Sequence, residues 1–398
     1  MAERAEDHRA ALAAGFLGWT LDAFDFFLVV YCLTAIGREF HVSDAEVALS
    51  ITLTLAFRPV GAFLFGLMAD RYGRRLPLIL NLVFYSLMEV LSGLAPSFRM
   101  FLVFRALFGI GMGGEWGVGA SLAMEKVPPR LRGVLSGFLQ EGYAVGSLLA
   151  SLAYFALFEK VGWRPLFFIG GLPALLAIFV QVKVHESEVW RSSRAESWTQ
   201  LGRTIAGQWK LFLYLVLVMT AMNFCSHGTQ DMYPTFLQRQ WNYSAGERAI
   251  LSAISMAGAL IGGILFGLMS DRVGRRRAIL TALGGALIMI PLWAYSPSRA
   301  MLAVGGFAMQ FMVQGAWGVI PAHLTELSPD SVRGFLPGFS YQCGALLAGS
   351  AAWIEATLAH SMPYARAMAV TAALAVLFAA AMIAVGRERR GITFGASG

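Results

Sequence analysis

Between Asn223 and Thr235 the chain reads NFCSHGTQDMYPT, in the middle of a run that is otherwise apolar. Asn223, His227 and Asp231 stand at i, i+4 and i+8, one stripe up one helix face, with Ser226 and Gln230 beside it. At the helical rise, Asp231 lies about 12 Å beyond Asn223. A histidine one turn from a carboxylate titrates jointly with it, which suits the handling of a proton. The competing reading is a set of interhelical hydrogen bonds that hold a bundle together.

Ionisable groups are scarce in the other apolar runs: Asp22, Asp25, Arg58, Glu89, Arg105, Glu115, Glu141 and Glu355. Charge at membrane depth is costly, so each is a functional candidate. Arg58 leads them. A guanidinium pairs with a carboxylate through two parallel hydrogen bonds and is not neutralised by losing its proton, which makes it the best single anchor for an organic acid. The alternative is a standing pair with Asp22 or Asp25, and the two readings agree if cargo and aspartate exchange places.

An anion drawn into a negative-inside cell costs about 2.3 kcal/mol per 100 mV, and a proton carried with it cancels that charge. Burial raises a carboxylate pKa and a nearby arginine lowers it, so an aspartate that changes surroundings loads and releases a proton. Asp231 with His227 is the first candidate and Asp25 the second; Asp22 and Glu141 follow. Gln140 and Tyr143, beside Glu141, are candidate pathway residues. Arg105 and Glu115 read as structural or gating, and Glu89 and Glu355, with no evident partner, as structural. His323 and Glu326, at i and i+3, read as part of a gate.

The elements that carry these groups follow from composition. Of 398 residues, 57% are hydrophobic and 14% charged, and mean hydropathy is +0.62. The apolar runs are about 18–25 residues long, the length that crosses a bilayer as a helix, and the alternation of a membrane barrel is absent. Twelve spans are expected near 11–36, 47–69, 76–95, 99–124, 133–156, 164–183, 210–236, 248–269, 277–295, 299–324, 333–356 and 363–385. Lys and Arg number 21 on the tails and even-numbered connections and 8 on the others. The positive-inside rule then places both ends in the cytoplasm. The net charge of +7 is thereby topology, with no call for nucleic acid. Cys32, Cys225 and Cys343 form no CxxC pair, so neither a disulfide nor a zinc site is indicated. No cleavable leader is visible.

The chain also repeats itself. FGLMADRYGRR (65–75) matches FGLMSDRVGRR (266–276) at nine of eleven positions, an offset of 201. The same offset aligns Trp116-Gly117 with Trp317-Gly318, Glu125 with Glu326, Pro128 with Pro329 and Arg132-Gly133 with Arg333-Gly334. Ala259 stands opposite Arg58, so symmetry does not demand the arginine. The expected organisation is an N-tail (1–10), a six-helix bundle (11–183), a linker (184–209), a second six-helix bundle (210–386) and a C-tail (387–398). Duplicated halves imply a central pathway with access alternating from side to side.

The two G-x-x-x-D-R-x-G-R-R loops and the E…P…RG segments resemble the major facilitator superfamily over the whole chain. The resemblance implies an all-α polytopic fold of twelve helices in two pseudo-symmetric bundles. It also implies a gate of Asp70, Arg71, Arg74, Glu125, Arg132, Asp271, Arg272, Arg275, Glu326 and Arg333. Within that superfamily N-x-x-S-H-x-T-Q-D-x-x-x-T, GWTLDAFDFF, RPVGAFLFG, GIGMGGEWG and SYQCG are similar to the sialate:proton symporter family, and most to its yeast-type lactate and pyruvate permeases. Carried over, Arg58 binds the anion, His227, Gln230 and Asp231 serve on the seventh helix, and Gln342 lines the pathway. Ala345 and Val145 depart from that pattern, at positions that bear on cargo size.

The expected function is proton-coupled uptake of short monocarboxylates such as lactate and pyruvate. The expected partners are a small organic anion, a proton and the lipid bilayer. The protein is expected as a monomer in the inner membrane, with no cofactor beyond the coupling proton. A larger acid, sialic or aromatic, and a transport-silent receptor are the alternatives. An enzyme is disfavoured, because no nucleophile–base pair or metal-ligand set stands outside the stripe.

Overall fold

A computed structural model of the chain describes residues 2–395, and no strand occurs among them. Four runs fold as unbroken helices of 29 residues each: Asp44–Tyr72, Phe98–Lys126, Ala245–Val273 and Arg299–Leu327. That length reaches about 44 Å, enough to cross the hydrocarbon core and both headgroup layers. Each starts at a serine whose hydroxyl accepts a backbone N–H of the first turn: Ser43, Ser97, Ser244 and Ser298. Ser43 and Ser244 complete capping boxes with Glu46 and Glu247. All of these positions pair at the 201-residue offset.

The first span is Ala2–Phe40, the third Arg75–Leu94, the ninth Arg275–Ala294 and the twelfth Tyr364–Val385. The fifth (Arg132–Gln140 and Gly142–Val161), sixth (Trp163–Ile169 and Pro173–Lys183) and seventh (Trp209–Gln230 and Tyr233–Trp241) each contain a break. Two short helices, Glu188–Ser193 and Trp198–Gly207, lie in the connection between the halves.

Eleven stretches are long and apolar enough to cross a membrane. The segment expected as the eleventh span is absent from that set. It is split into Leu336–Ala348 and Ala351–Leu358 by a turn at Gly349 and Ser350. Glycine weakens a helix interior, and the surrounding apolar run conceals the break from a hydropathy reading.

Side chains facing outward from the bundles are apolar: Phe155 is 85% exposed and Ile288 72%, as a lipid-facing surface requires. Packing is dense within each half. Across the seam the fifth span packs on the eighth and tenth, and the eleventh on the second and fourth. Glycine permits the closest of these approaches: a Cβ on Gly117 would lie 2.5 Å from the Gly338 Cα.

Candidate substrate and proton site

Arg58 stands in the middle of the second span, and the fourth span pins it there. A Cβ at Gly113 would fall 1.9 Å from the Arg58 carbonyl oxygen, so only glycine lets the two helices meet at that level. The Arg58 side chain is buried, and its Nε and Nη2 have no hydrogen-bond partner in the protein. No carboxylate among the described residues lies within ion-pair distance of it. Asp22 and Asp25, the expected alternative partners, are fully buried on the first span and make no hydrogen bond of their own.

The guanidinium stands at the edge of an aromatic cluster. It lies 5.8 Å from the centroid of Tyr341 on the eleventh span. Around Tyr341 stand Trp116 at 4.7 Å, Trp317 at 5.8 Å and Trp19 at 6.5 Å, and Tyr143 is 5.4 Å from Trp19. Trp116 and Trp317 are repeat mates, so the two halves converge on one tyrosine. Trp116 Nε1 donates to Gln140 at 3.2 Å, while both amide atoms of buried Gln342 lack partners. Arg58, Tyr143 and Gln140 are thus linked through Tyr341, Trp19 and Trp116, and no hydrogen bond among the described residues ties Gln342 to them. Tyr341 and the three tryptophans were not among the expected site residues. The SYQCG motif and the Trp-Gly repeat both contain the signal.

On the seventh span His227 Nδ1 meets Asp231 at 3.1 Å, and both side chains are about two-fifths exposed. Asp231 ends the helix Trp209–Gln230, so its carboxylate sits at a backbone break. The rest of the stripe bonds to its neighbours: Gln230 to Gln310 at 2.7 Å, Gln314 to Ser226 at 3.1 Å. Asn223 donates to the Met219 carbonyl one turn back. The stripe is thus divided, with its inner part tied to the protein and its His227–Asp231 end accessible.

The remaining buried charges separate. Glu89, read as lacking a partner, forms an ion pair with Arg105 of the neighbouring fourth span, which sequence spacing could not reveal. Glu115 lies against Gly18 of the first span, and both its oxygens lack partners. Asp25 and Glu89 both crowd Gly170, in the first half. Glu141 reaches across the seam to Gly263 of the eighth span. Glu355 is buried on Ala351–Leu358 beside Gly228, with neither oxygen bonded.

The gate residues join the halves at the Arg-rich face. Asp70 accepts from Arg74 at 2.6 Å and from the N–H groups of Gly334 and Phe335 at 2.7 and 3.0 Å. Asp271 repeats the device, with Arg275 at 2.8 Å and Gly133 and Val134 at 2.7 and 2.9 Å. Each aspartate thus meets both an arginine of its own half and a helix start of the other. Arg74 pairs with Glu125 at 2.9 Å, and Glu125 lies 3.5 Å from Arg333. Glu326 takes Arg275 at 2.9 Å and Arg132 at 3.0 Å. Burial works against the Arg74 cation, but Glu125 and Asp70 outweigh it and hold its pKa above the ordinary value. Arg71 and Arg272 form no ion pair among the described residues; Arg71 lies over Tyr72. His323 is buried behind this network, one turn from Glu326. This face is closed.

The Major Facilitator Superfamily model matches residues 15–230 and again 217–395. The chain belongs to that superfamily. Two matches in tandem are what a duplicated transporter predicts, and the protein is a multi-pass membrane transporter, not an enzyme. As a facilitator it has relatives of the kinds its motifs resemble. It is 28% identical to a carboxylic acid transporter protein homolog of Saccharomyces cerevisiae, over 94% of this chain and 67% of that one. It is 30% identical to the sialic acid transporter NanX of Escherichia coli, over 88% and 86%. The solved structure of the proton:xylose symporter XylE bound to 6-bromo-6-deoxy-D-glucose superposes with a TM-score of 0.78 over 98% of both chains. At 19% identity that likeness is one of fold.

Proposed function

We propose that this facilitator is a proton-coupled symporter that takes short monocarboxylates such as lactate and pyruvate into the cell by alternating access. The observation that carries the reading is Arg58: a buried guanidinium beside Tyr341 at the seam that forms no ion pair among the described residues, with Asp22 and Glu115 feeling its charge only from beyond ion-pair distance. Leaving such a charge unpaired in an apolar bundle is expensive, and an incoming carboxylate relieves the cost. The relatives that transport a carboxylic acid and sialic acid support an acidic cargo. The exposed His227–Asp231 pair supplies a joint proton site, with Asp25, Asp22 and Glu141 as further acids. In this reading the protein works as an inner-membrane monomer with both ends in the cytoplasm, and the proton is its coupling partner.

Uptake of labelled lactate into proteoliposomes with an imposed inward proton gradient tests it. Lactate should accumulate and pyruvate should compete. Asp231→Asn should abolish gradient-driven accumulation while leaving lactate counterflow intact; normal accumulation in that variant removes Asp231 from the proton path. A second reading, a larger acid, is favoured by the similarity to NanX and by the small side chains Val145 and Ala345. Sialate or shikimate entering where lactate does not would establish it in place of the first.

A further inference from the structure

We propose that Phe394 is a gate residue: its ring, clamped between Arg132 and Arg333, holds the two halves together at the Arg-rich face. Each guanidinium carbon lies 3.7 Å from the ring centroid. Two cations cannot share one face of a phenyl ring at that distance, so the ring is sandwiched. Arg132 opens the fifth span, in the first half, and Arg333 precedes the eleventh, in the second. They are repeat mates, which places the ring where the two halves meet.

The segment around Phe394 is built to hold it there. Gly391 and Gly395 both have left-handed backbone, with φ of +74° and +77°, a conformation that glycine adopts without strain. The Gly395 N–H donates to Asp330 at 2.8 Å and the Gly391 N–H to Glu326 at 3.4 Å. Arg132 donates to the Ile392 carbonyl at 3.1 Å, and Arg390 to the Arg272 carbonyl. Phe394 packs against an apolar cluster of Ala120, Met124 and Leu139 from the first half and Ala322 from the second. Neither half alone provides this seat.

The physical consequence is a difference between states. Arg132 and Arg333 are like charges drawn together by closure, and the π system of one ring attracts both without needing a second acid. When the halves part, the ring must leave at least one guanidinium. Contacts made in only one of two states set the balance between them. Phe394 therefore weights the equilibrium toward the state closed at this face, independently of which acid is carried.

Spin labels at Arg130→Cys and Arg277→Cys, exposed positions on opposite halves, report the separation by pulsed electron resonance in reconstituted protein. The background replaces Cys32, Cys225 and Cys343. Phe394→Ala should lower the closed-to-open ratio about tenfold, the loss of two cation–π contacts to a half-buried ring at about 0.7 kcal/mol each. Phe394→Tyr, which keeps the ring, should retain the parent distances. Phe394→Leu, apolar but without a π face, should follow Phe394→Ala. An unchanged distance distribution in Phe394→Ala overturns the proposal, and so does parental behaviour of Phe394→Leu. Since the measurement needs no cargo, failure of the lactate reading leaves its outcome intact.

Discussion

Arg58 owes its character to what surrounds it. A guanidinium offers a planar fork that an ammonium cannot, so Arg58→Lys keeps the charge and loses the paired geometry. We expect Arg58→Lys to weaken lactate binding about tenfold or more and Arg58→Ala to abolish it, as read by titration calorimetry. Equal affinity in the lysine variant would mean that the site feels only a point charge. At this scale the sequence was informative wherever chemistry ran along one helix. His227 and Asp231 are a turn apart on the chain and touch in the fold. Asp70–Arg74 and Asp271–Arg275 follow the same spacing. Partners on different helices were invisible: Glu89 looked solitary because Arg105 reaches it from the next span, and Tyr341 looked ordinary because its three tryptophans come from the first, fourth and tenth spans.

Among the helices, close approach decides where the functional groups sit. The second and fourth spans touch through Gly113 at the level of Arg58, so Gly113→Ala forces a methyl into the backbone of the neighbouring helix. That overpacking should cost about 1–3 kcal/mol, seen as a lowered melting temperature in detergent. Gly284→Ala is the control, because a Cβ there meets nothing within 4 Å. It should be neutral or stabilising by about 0.5–1 kcal/mol, the gain of removing a helix-interior glycine. If both variants melt alike, the contact at Gly113 does not set the spacing of the two helices. The unbroken helices were legible from apolar length and from the repeat. The turn at Gly349–Ser350 was not, since glycine is common in spans that do not break and hydropathy is blind to it.

For the whole molecule, the 201-residue offset was the strongest signal in the sequence, and the fold follows it down to matching caps and matching aspartate–arginine pairs. What the offset could not reveal is where the two halves stop being alike. Arg333 has Asp330 beside it in its own half, besides Glu125 across the seam. Arg132 has one ion pair among the described residues, to Glu326 in the other half, and Glu326 also holds Arg275 of its own half. When the halves part, Glu326 stays with Arg275 and Arg132 is left bare. A buried arginine stripped of its acid is costly, and mobile anions in the adjoining compartment lessen that cost. Transport by sealed vesicles should therefore quicken as potassium sulfate is raised in the compartment facing Arg132, and respond less to the same salt on the opposite side. Such one-sided ionic sensitivity would make the turnover of this carrier depend on the ions in the fluid that bathes its Arg-rich face.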